Sequence, residues 1–271
     1  MKRILVVSGS RADYGLLEWP RKALCEDGAF SVEFLRIWHY TFPEAFSLVD
    51  QALANKDMLL VLGDRFEILA AAIAAHLKRV PIAHIGGGDM TLGSYDDAMR
   101  DCISRMASVH LATSKAAQQR LKSRGYLCAH MIGNLAADEI LCGNWMRERL
   151  IAEPYVVVSY QAETIDDTVD LAAVNAAIAG REAVWITPNH DRGSERIPKG
   201  ESFNRPNFLN LLYYCEEFIG NSSAMLYEAP ALGVKCHMIG KRQQGRVYPP
   251  PGDGHASERI VKVLKDYLQC L

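Results

Sequence analysis

Short apolar runs of strand length alternate with longer amphipathic segments along most of this chain, and this alternation constrains the fold more than any other feature. In the first half, a segment of helical periodicity follows each of "ILVVSG", "SVEFLRI", "MLLVLG", "PIAHIG" and "VHLATS". A second series begins at "YVVVSY", which a predicted helix at residues 166–179 follows, and continues through "AVWITP", "EFIGNS" and "KCHMIG". Buried strands joined by helices predict parallel sheets built from βαβ units. We therefore expect an α/β fold of two Rossmann-like domains, residues 1–145 and 146–271, which meet near a polar helix at residues 143–154.

Size, charge and cysteine content narrow the class of protein. The 271 residues are 49% hydrophobic, which allows a large core, and the net charge of -2 with no dense Lys/Arg block gives no reason to expect a nucleic acid partner. The apolar run near the N-terminus is too short for a signal peptide or a membrane span. The seven cysteines form no Cys-x-x-Cys pair, so we expect reduced core thiols and a cytoplasmic protein.

The unusual loops all follow predicted strands. In open parallel sheets, ligands bind at the carboxyl ends of the strands, so loops at these ends from both domains predict one interdomain cleft. The first of them, "SGSRADYG", carries Arg11 and Asp13 where a dinucleotide-binding turn has glycine. The chain also lacks a Gly-x-x-x-x-Gly-Lys-Ser/Thr loop. Redox chemistry on NAD and P-loop NTPase activity are therefore not expected.

The turn "GNSSA" at residues 220–224 precedes a predicted helix in the second half. A helix N-terminus attracts phosphate, although Ser or Asn there also serves as a simple N-cap. Glu228 and the cation-rich segment "GKRQQGR" at residues 240–246 favour the phosphate interpretation. Cations of this kind clamp a diphosphate, while a carboxylate accepts hydrogen bonds from ribose hydroxyls.

Four acids of the first half lie at or just beyond strand ends: Asp64, Asp89, Asp96 and Asp97. The last two also suit the first turn of a helix without any ligand, and Asp64 could cap a helix while paired with Arg65. Carboxylates that converge in a cleft raise one another's pKa values and supply an acid and a base at neutral pH. A metal site is less expected because the acids lack histidine partners at ligand spacing, and among the scattered histidines only His190 is of interest.

Six blocks of the chain resemble, in order, the signature blocks of the hydrolysing UDP-N-acetylglucosamine 2-epimerases of sialic acid-type sugar biosynthesis. They span nearly the whole sequence: "SGSRADYGLL", "GDRFEILAAAIAA", "PIAHIGGGD", "YDDAMRDCISRMASVHLATS", "TPNHD" and "GNSSAMLYEAPALGVKCHMIGKRQQGR". The resemblance implies a glycosyltransferase-B-type fold with UDP held mainly by the second half. It implies elimination of UDP from UDP-GlcNAc to 2-acetamidoglucal, then hydration to N-acetylmannosamine, without metal or NAD.

The resemblance also implies roles for individual residues. The acid/base set would be Asp64, Asp89, Asp96 and Asp97, with the assignment of each proton transfer left open. The substrate-binding set would be Arg11, Asp13, Asn189, Asn221, Ser222, Ser223, Glu228, Arg242 and Arg246. Since members of this family work as oligomers, a homodimer is expected.

Two departures from the family pattern keep other functions open. Family members usually have His-Gly-Gly-Glu where this chain has residues 86–89 as Gly-Gly-Gly-Asp, and a His-Pro dipeptide where it has Tyr160 and Gln161. A UDP-sugar-binding protein without turnover and a UDP-sugar-dependent glycosyltransferase are therefore the alternatives. A related UDP-acetamido sugar is an alternative substrate.

Overall fold

The computed structural model describes residues 1–146, 148–189, 191–247 and 249–270, and contains two parallel β-sheets. The first sheet has the order β2-β1-β3-β4-β5-β6, and its strands are β1 (Lys2–Ser8), β2 (Phe30–Arg36), β3 (Met58–Leu62), β4 (Ile82–Ile85), β5 (Val109–Ala112) and β6 (Ala129–Met131). The second has the order β10-β9-β7-β8, and its strands are β7 (Val156–Ser159), β8 (Ala183–Trp185), β9 (Phe218–Gly220) and β10 (Cys236–Met238).

Helices connect the strands. Those of the first half are α1 (Arg11–Glu26), α2 (Phe42–Ala52), α3 (Phe66–Leu77), α4 (Asp96–Met106), α5 (Lys115–Ser123) and α6 (Ala136–Cys142). The second half has α7 (Leu171–Ile178), α8 (Arg205–Tyr214) and α9 (Ala224–Leu232), and the last helix is α10 (Ala256–Gln269). All strand pairs of the two sheets are parallel. The predicted α/β architecture is confirmed.

The central strands are apolar on both faces because helices cover both sides of the sheet. Ile4 and Val6 of β1 pack in one core with α1, whereas Leu5 and Val7 pack in a second core with α2 and α3. All four side chains are fully buried, and burial of an aliphatic side chain of this size contributes about 1.5–3 kcal/mol. This packing fixes the strands whose carboxyl ends carry the loops of the first half.

The last helix packs on the first sheet rather than on the second. Ile260 and Leu264 of α10 lie in the same core as Leu17 and Leu24 of α1. The N-terminus of α10 donates two backbone hydrogen bonds, at 2.9 and 2.6 Å, to the buried carboxylate of Asp138, which complements the helix dipole. The predicted domain boundary at residue 145 lies between the last strand of the first sheet and the first strand of the second, and it stays a prediction. We propose that residues 256–270 belong with the first domain.

Two predicted helices differ in the structure. The described residues of the segment 143–154 are not helical, because α6 ends at Cys142 and Gly143 adopts a left-handed conformation with φ 72°. The helix expected at residues 166–179 begins only at Leu171, because the Asp170 side chain accepts a hydrogen bond from the Ala173 N–H at 2.9 Å and caps it there.

The seven cysteines are free, but the expectation that they are core thiols is wrong. Five of them are exposed and two are half-buried. Cys25, Cys102 and Cys142 occupy exposed positions of helices, so helical surroundings did not indicate burial. Across the described ranges, we find no helix with the length and apolar character that crossing a bilayer requires.

Candidate active site

A cavity of about 310 Å³ lies between the carboxyl ends of the two sheets, as the strand-end argument predicts. Its walls come from the loops after β1, β3, β4, β5 and β6 on one side and from those after β7, β8, β9 and β10 on the other. Small-ligand sites range from about 300 to 1,000 Å³. The structure brings ten of the predicted residues to this lining: Arg11, Asp13, Asp64, Asp96, Asn189, Ser222, Ser223, Glu228, Arg242 and Arg246.

Three predicted residues lie behind the lining. Asn221 is fully buried and exchanges two hydrogen bonds of 2.8 Å with the backbone of Gln161, so it ties the end of β9 to the end of β7. Asp97 accepts hydrogen bonds from the Thr91 N–H and from Arg100. Asp89 is 8% exposed and accepts hydrogen bonds from the hydroxyl groups of Thr113 and Tyr227, which themselves line the cavity.

Arg100 organises the acids of the first half. Its side chain is almost completely buried in α4 and donates to the carboxylates of Asp64 and Asp97. It also donates to the Thr91 hydroxyl at 3.0 Å and to the Asp89 carbonyl at 3.2 Å. Asp64 therefore pairs with Arg100 and not with Arg65, and it does not cap α3, whose N-cap residue is Arg65. Asp64 and Asp97 are held next to the glycine loop because their carboxylates share one buried cation.

The environments of Asp64 and Asp96 move their pKa values in opposite directions. Burial alone would raise the pKa of Asp64, but the positive charges of Arg100 and Arg246 hold it below its usual range. Burial, followed by the negative charge of Asp64, raises the pKa of Asp96 to about 6, although the Ser94 hydroxyl donates a hydrogen bond to it at 2.7 Å. Two carboxyl groups separated in this way can serve as a base and an acid.

Asp13 and Arg11 lie at the start of α1. The Ser10 side chain caps this helix by accepting a hydrogen bond from the Asp13 N–H at 3.1 Å. Burial raises the pKa of Asp13 to about 6, against the effects of Ser10 and Arg65. Arg11 reaches the second half, where it donates to the Ser202 hydroxyl at 2.8 Å.

The "GNSSA" turn begins α9, as predicted. Ser223 is the N-cap residue, but its side chain makes no capping hydrogen bond, and the Ser222 hydroxyl accepts one from the Ala224 N–H at 3.3 Å. The simple N-cap interpretation thus does not account for the Ser223 hydroxyl, which lines the cavity. A helix N-terminus with such a hydroxyl suits an anion.

The cations of the second wall differ in how far they are neutralised. Arg242 pairs with Asp191 at 2.7 Å, and Asp191 also pairs with Arg65 of the first half at 3.2 Å. The Nε of Arg246 and the Nη2 of Arg205 are buried without a hydrogen-bond partner within the described part of the chain. A buried donor without a partner is costly, so both groups favour a bound anion or acceptor.

Three residues of the site were not predicted from the sequence: Arg100, Arg205 and Tyr227. The i, i+3 spacing of Asp97 and Arg100 could have signalled the first. Arg205 pairs with Glu139 of α6 and with Glu228 of α9, at sequence separations of 66 and 23, so no local pattern reveals it.

Among the histidines, His84 is a packed residue, as expected. Its ring contacts the Ser104 hydroxyl at 3.1 Å and the Gly63 carbonyl at 2.8 Å, and burial lowers its pKa to about 4. His190 lies outside the described residues. In the described ranges, no three His, Cys, Asp or Glu side chains are grouped so that they could hold a metal ion.

Known proteins match this chain over most of its length. The family model described as UDP-N-acetylglucosamine 2-epimerase matches residues 49–250. Polysialic acid biosynthesis protein P7 of Escherichia coli is 31% identical, with 91% of this chain and 81% of the relative covered. The hydrolyzing GDP/UDP-N,N'-diacetylbacillosamine 2-epimerase of Campylobacter jejuni is 28% identical over 75% of this chain and 62% of its own length.

A solved structure shows the same fold. The UDP-GlcNAc 2-epimerase of Methanocaldococcus jannaschii, in complex with UDP-GlcNAc and UDP, superposes with a TM-score of 0.81. The alignment covers 98% of this chain and 100% of that one at 16% identity. The expected glycosyltransferase-B-type fold is confirmed. Since the family model covers well over half of its length, the chain belongs to the UDP-N-acetylglucosamine 2-epimerase family.

Proposed function

We propose that this protein is a hydrolysing UDP-GlcNAc 2-epimerase that releases UDP through 2-acetamidoglucal and hydrates this intermediate to N-acetylmannosamine. The observation that carries the proposal is the division of the cleft into two chemically distinct walls. Asp64 and Asp96, with pKa values moved apart, lie on one wall, and the α9 N-terminus and the unpartnered donors of Arg205 and Arg246 lie on the other. A relative named as a hydrolyzing 2-epimerase supports the subtype.

The acid wall suits an elimination followed by a hydration. A base takes the proton from C2, the electron pair of that bond forms the C1=C2 double bond, and UDP leaves with the electrons of the C1–O bond. Water then adds, with its hydroxyl at C1 and a proton at C2 from the opposite face. Asp64 stays ionised and can accept a proton, whereas Asp96, with a pKa of about 6, is present in both forms near neutral pH and can donate one.

The second wall suits the nucleotide. We assign the diphosphate to the α9 N-terminus with Ser222 and Ser223, next to the free donors of Arg205 and Arg246. The ribose hydroxyls are assigned to Glu228, which is 4% exposed and is held by Arg205. Arg11, Asp13, Asn189 and Arg242 complete the lining, and Asp97 acts from behind it by holding Arg100.

A relative suggests an alternative substrate, and the family resemblance suggests the oligomeric state. The Campylobacter jejuni relative is named for a diacetylated sugar, so UDP-N,N'-diacetylbacillosamine is the second substrate to assay. We also propose a cytoplasmic homodimer, from the family resemblance. Light scattering coupled to gel filtration tests the dimer, and a monomer at micromolar concentration would contradict it.

Turnover of UDP-GlcNAc in heavy water, followed by proton NMR without metal or acceptor, tests the proposed function. We expect UDP together with N-acetylmannosamine deuterated at C2, because the proton added at C2 comes from solvent. The Asp64→Asn variant is the matched control and should release no UDP. Intact substrate with broadened nucleotide signals would instead indicate a binding protein, and UDP release only after an acceptor is added would indicate a glycosyltransferase.

A further inference from the structure

Tyr227 of α9 lines the cleft and joins the two halves of the molecule. Its hydroxyl donates a hydrogen bond of 2.9 Å to the carboxylate of Asp89, which belongs to the first half. The Thr113 hydroxyl contacts the same carboxylate oxygen at 3.4 Å. The Asp89 carboxylate thus accepts hydrogen bonds from two hydroxyl groups, and Asp89 is not part of the cavity lining. This placement differs from the direct contact with the sugar that the sequence predicts.

The other contacts of Tyr227 lie on the nucleotide side. The Arg246 guanidinium lies 5.5 Å from the centre of the Tyr227 ring, at a distance typical of a cation–π contact. The next residue along α9 is Glu228. Burial, and the negative charge of Asp89, raise the pKa of Tyr227 far above its usual range in spite of Arg246. The phenol therefore keeps its proton and remains a hydrogen-bond donor at every working pH.

The Asp89 segment is in turn connected to the acid pair. The backbone carbonyl of Asp89 accepts a hydrogen bond from Arg100 at 3.2 Å, and Arg100 holds the Asp64 carboxylate. The residue before Asp89 is fixed on α5, since the Gly88 carbonyl accepts a hydrogen bond from Arg120, and Gly88 lies so close to this helix that a Cβ there would be 2.5 Å from the Ala117 carbonyl oxygen. A shift of Asp89 therefore moves its carbonyl and, with it, Arg100.

We propose that Tyr227 is a positioning residue that links the nucleotide side of the cleft to the acid wall through Asp89 and Arg100. In this arrangement the Asp89 carboxylate acts as the acceptor for Tyr227 and does not transfer a proton to the sugar. The consequence for turnover rests on the proposed function, whereas the mechanical link between α9 and the loop at residues 86–94 does not.

A double-mutant cycle of Tyr227→Phe and Asp89→Ala, with kcat for UDP release as the measurement, tests whether Tyr227 acts through Asp89. Each single change should lower kcat for UDP release at least about tenfold, because a hydrogen bond to a charged group is lost. The double variant should be no slower than Asp89→Ala, since Tyr227 acts through Asp89. The UDP dissociation constant from calorimetry should stay within about threefold of wild type. Independent, multiplicative losses in the double variant would overturn the proposal.

Asp89→Asn separates positioning from proton transfer. The Asn side-chain oxygen still accepts the Tyr227 hydrogen bond, so this variant should keep kcat within about threefold of wild type. An Asp89→Asn variant as slow as Asp89→Ala would show that the carboxylate transfers a proton. Tyr213→Phe, on the half-exposed face of α8, is the matched control for loss of a hydroxyl and should leave kcat unchanged.

Amide hydrogen exchange of the unliganded protein tests the link independently of catalysis. Residues 86–94 should exchange faster in Tyr227→Phe and Asp89→Ala than in wild type and Asp89→Asn, because the loop loses its anchor on α9. Equal exchange in all four proteins would overturn the proposal. If the wild type releases no UDP but the variants show this exchange pattern, the proposed function fails and the link stands.

Discussion

The loop between β4 and α4 packs backbone to backbone against the loop after β10, and we predict that Gly93→Ala prevents this packing. A Cβ at Gly93 would lie 1.7 Å from the Lys241 carbonyl oxygen and 2.6 Å from its carbonyl carbon. Beside it, the Leu92 N–H donates to the Gln244 carbonyl at 2.8 Å. These contacts join the two halves next to Arg242 and Asp96, which line the cleft.

The cost of Gly93→Ala follows from these distances. Real Cβ atoms do not come closer to other heavy atoms than roughly 3 Å, whereas the added Cβ would lie 1.7 Å from the Lys241 oxygen. The two loops must therefore move apart by about 1.3 Å. Such a shift breaks the Leu92 hydrogen bond, which is worth about 1 kcal/mol, and the overpacking costs about 1–3 kcal/mol more. The joined arrangement is therefore destabilised by about 2–4 kcal/mol, which lowers the equilibrium constant for joining the two loops by roughly 30- to 900-fold.

UDP release from UDP-GlcNAc, measured alongside thermal unfolding, is the assay for Gly93→Ala. We expect turnover to fall by as much as that factor, because the acid and nucleotide walls no longer meet correctly, while each sheet keeps its core. Gly28→Ala is the control: Gly28 has no neighbour within 4 Å of the added Cβ, so only the strain of its φ of 74° is introduced. Turnover of Gly93→Ala equal to that of Gly28→Ala would refute the reasoning.

Three further changes test the cleft and its supports. Replacing Ser222 and Ser223 together by Ala should weaken UDP binding by about 1–3 kcal/mol, and unchanged affinity by calorimetry would reject contact with the diphosphate. The carboxyl carbon of Asp96 should titrate in NMR with a midpoint near 6. Asp64→Asn should lower that midpoint, since it removes a negative charge that raises the pKa, and an unmoved or higher midpoint would contradict this cause. Arg205→Met should lower the free energy of unfolding, measured in urea, by about 3–5 kcal/mol, because the carboxylates of Glu139 and Glu228 lose their partner inside the protein. A loss below about 1 kcal/mol would contradict the idea that this ion pair is buried in its charged form.

The position of the cleft could be predicted from the sequence because it depends on local patterns. Period and apolar character identify the strands, parallel strands place all their carboxyl ends at one edge, and the loops there are then brought together. Ser223 at the start of α9 and Asp96 at the start of α4 lie where that argument puts them. Neither placement needed any knowledge of long-range contacts.

The partners of the charged side chains could not be predicted because they come from distant parts of the chain. Arg100 donates a hydrogen bond to Asp64, 36 residues away, and Tyr227 donates one to Asp89, 138 residues away. The packing of α10 on the first sheet could not be predicted either, because the sequence pattern of its apolar face is compatible with packing on either sheet. Asp89 illustrates the consequence. The sequence places it in the acid/base set, but it does not show that the Asp89 carboxylate accepts hydrogen bonds from Tyr227 and Thr113, which line the cavity in front of it.

The distribution of charge compensation explains how one cleft accommodates both acids and an anionic ligand. Asp64 and Asp97 of the first half are both paired with Arg100, and Asp191 of the second half bridges Arg65 and Arg242 across the halves. Among the described residues of the lining, the buried side-chain donors without a partner are the Nε of Arg246 and the Nη2 of Arg205. An entering diphosphate therefore meets unpaired donors and need not displace a carboxylate from its partner. Because Arg246 also lowers the pKa of Asp64 and lies over Tyr227, a charge placed beside it acts on both walls at once.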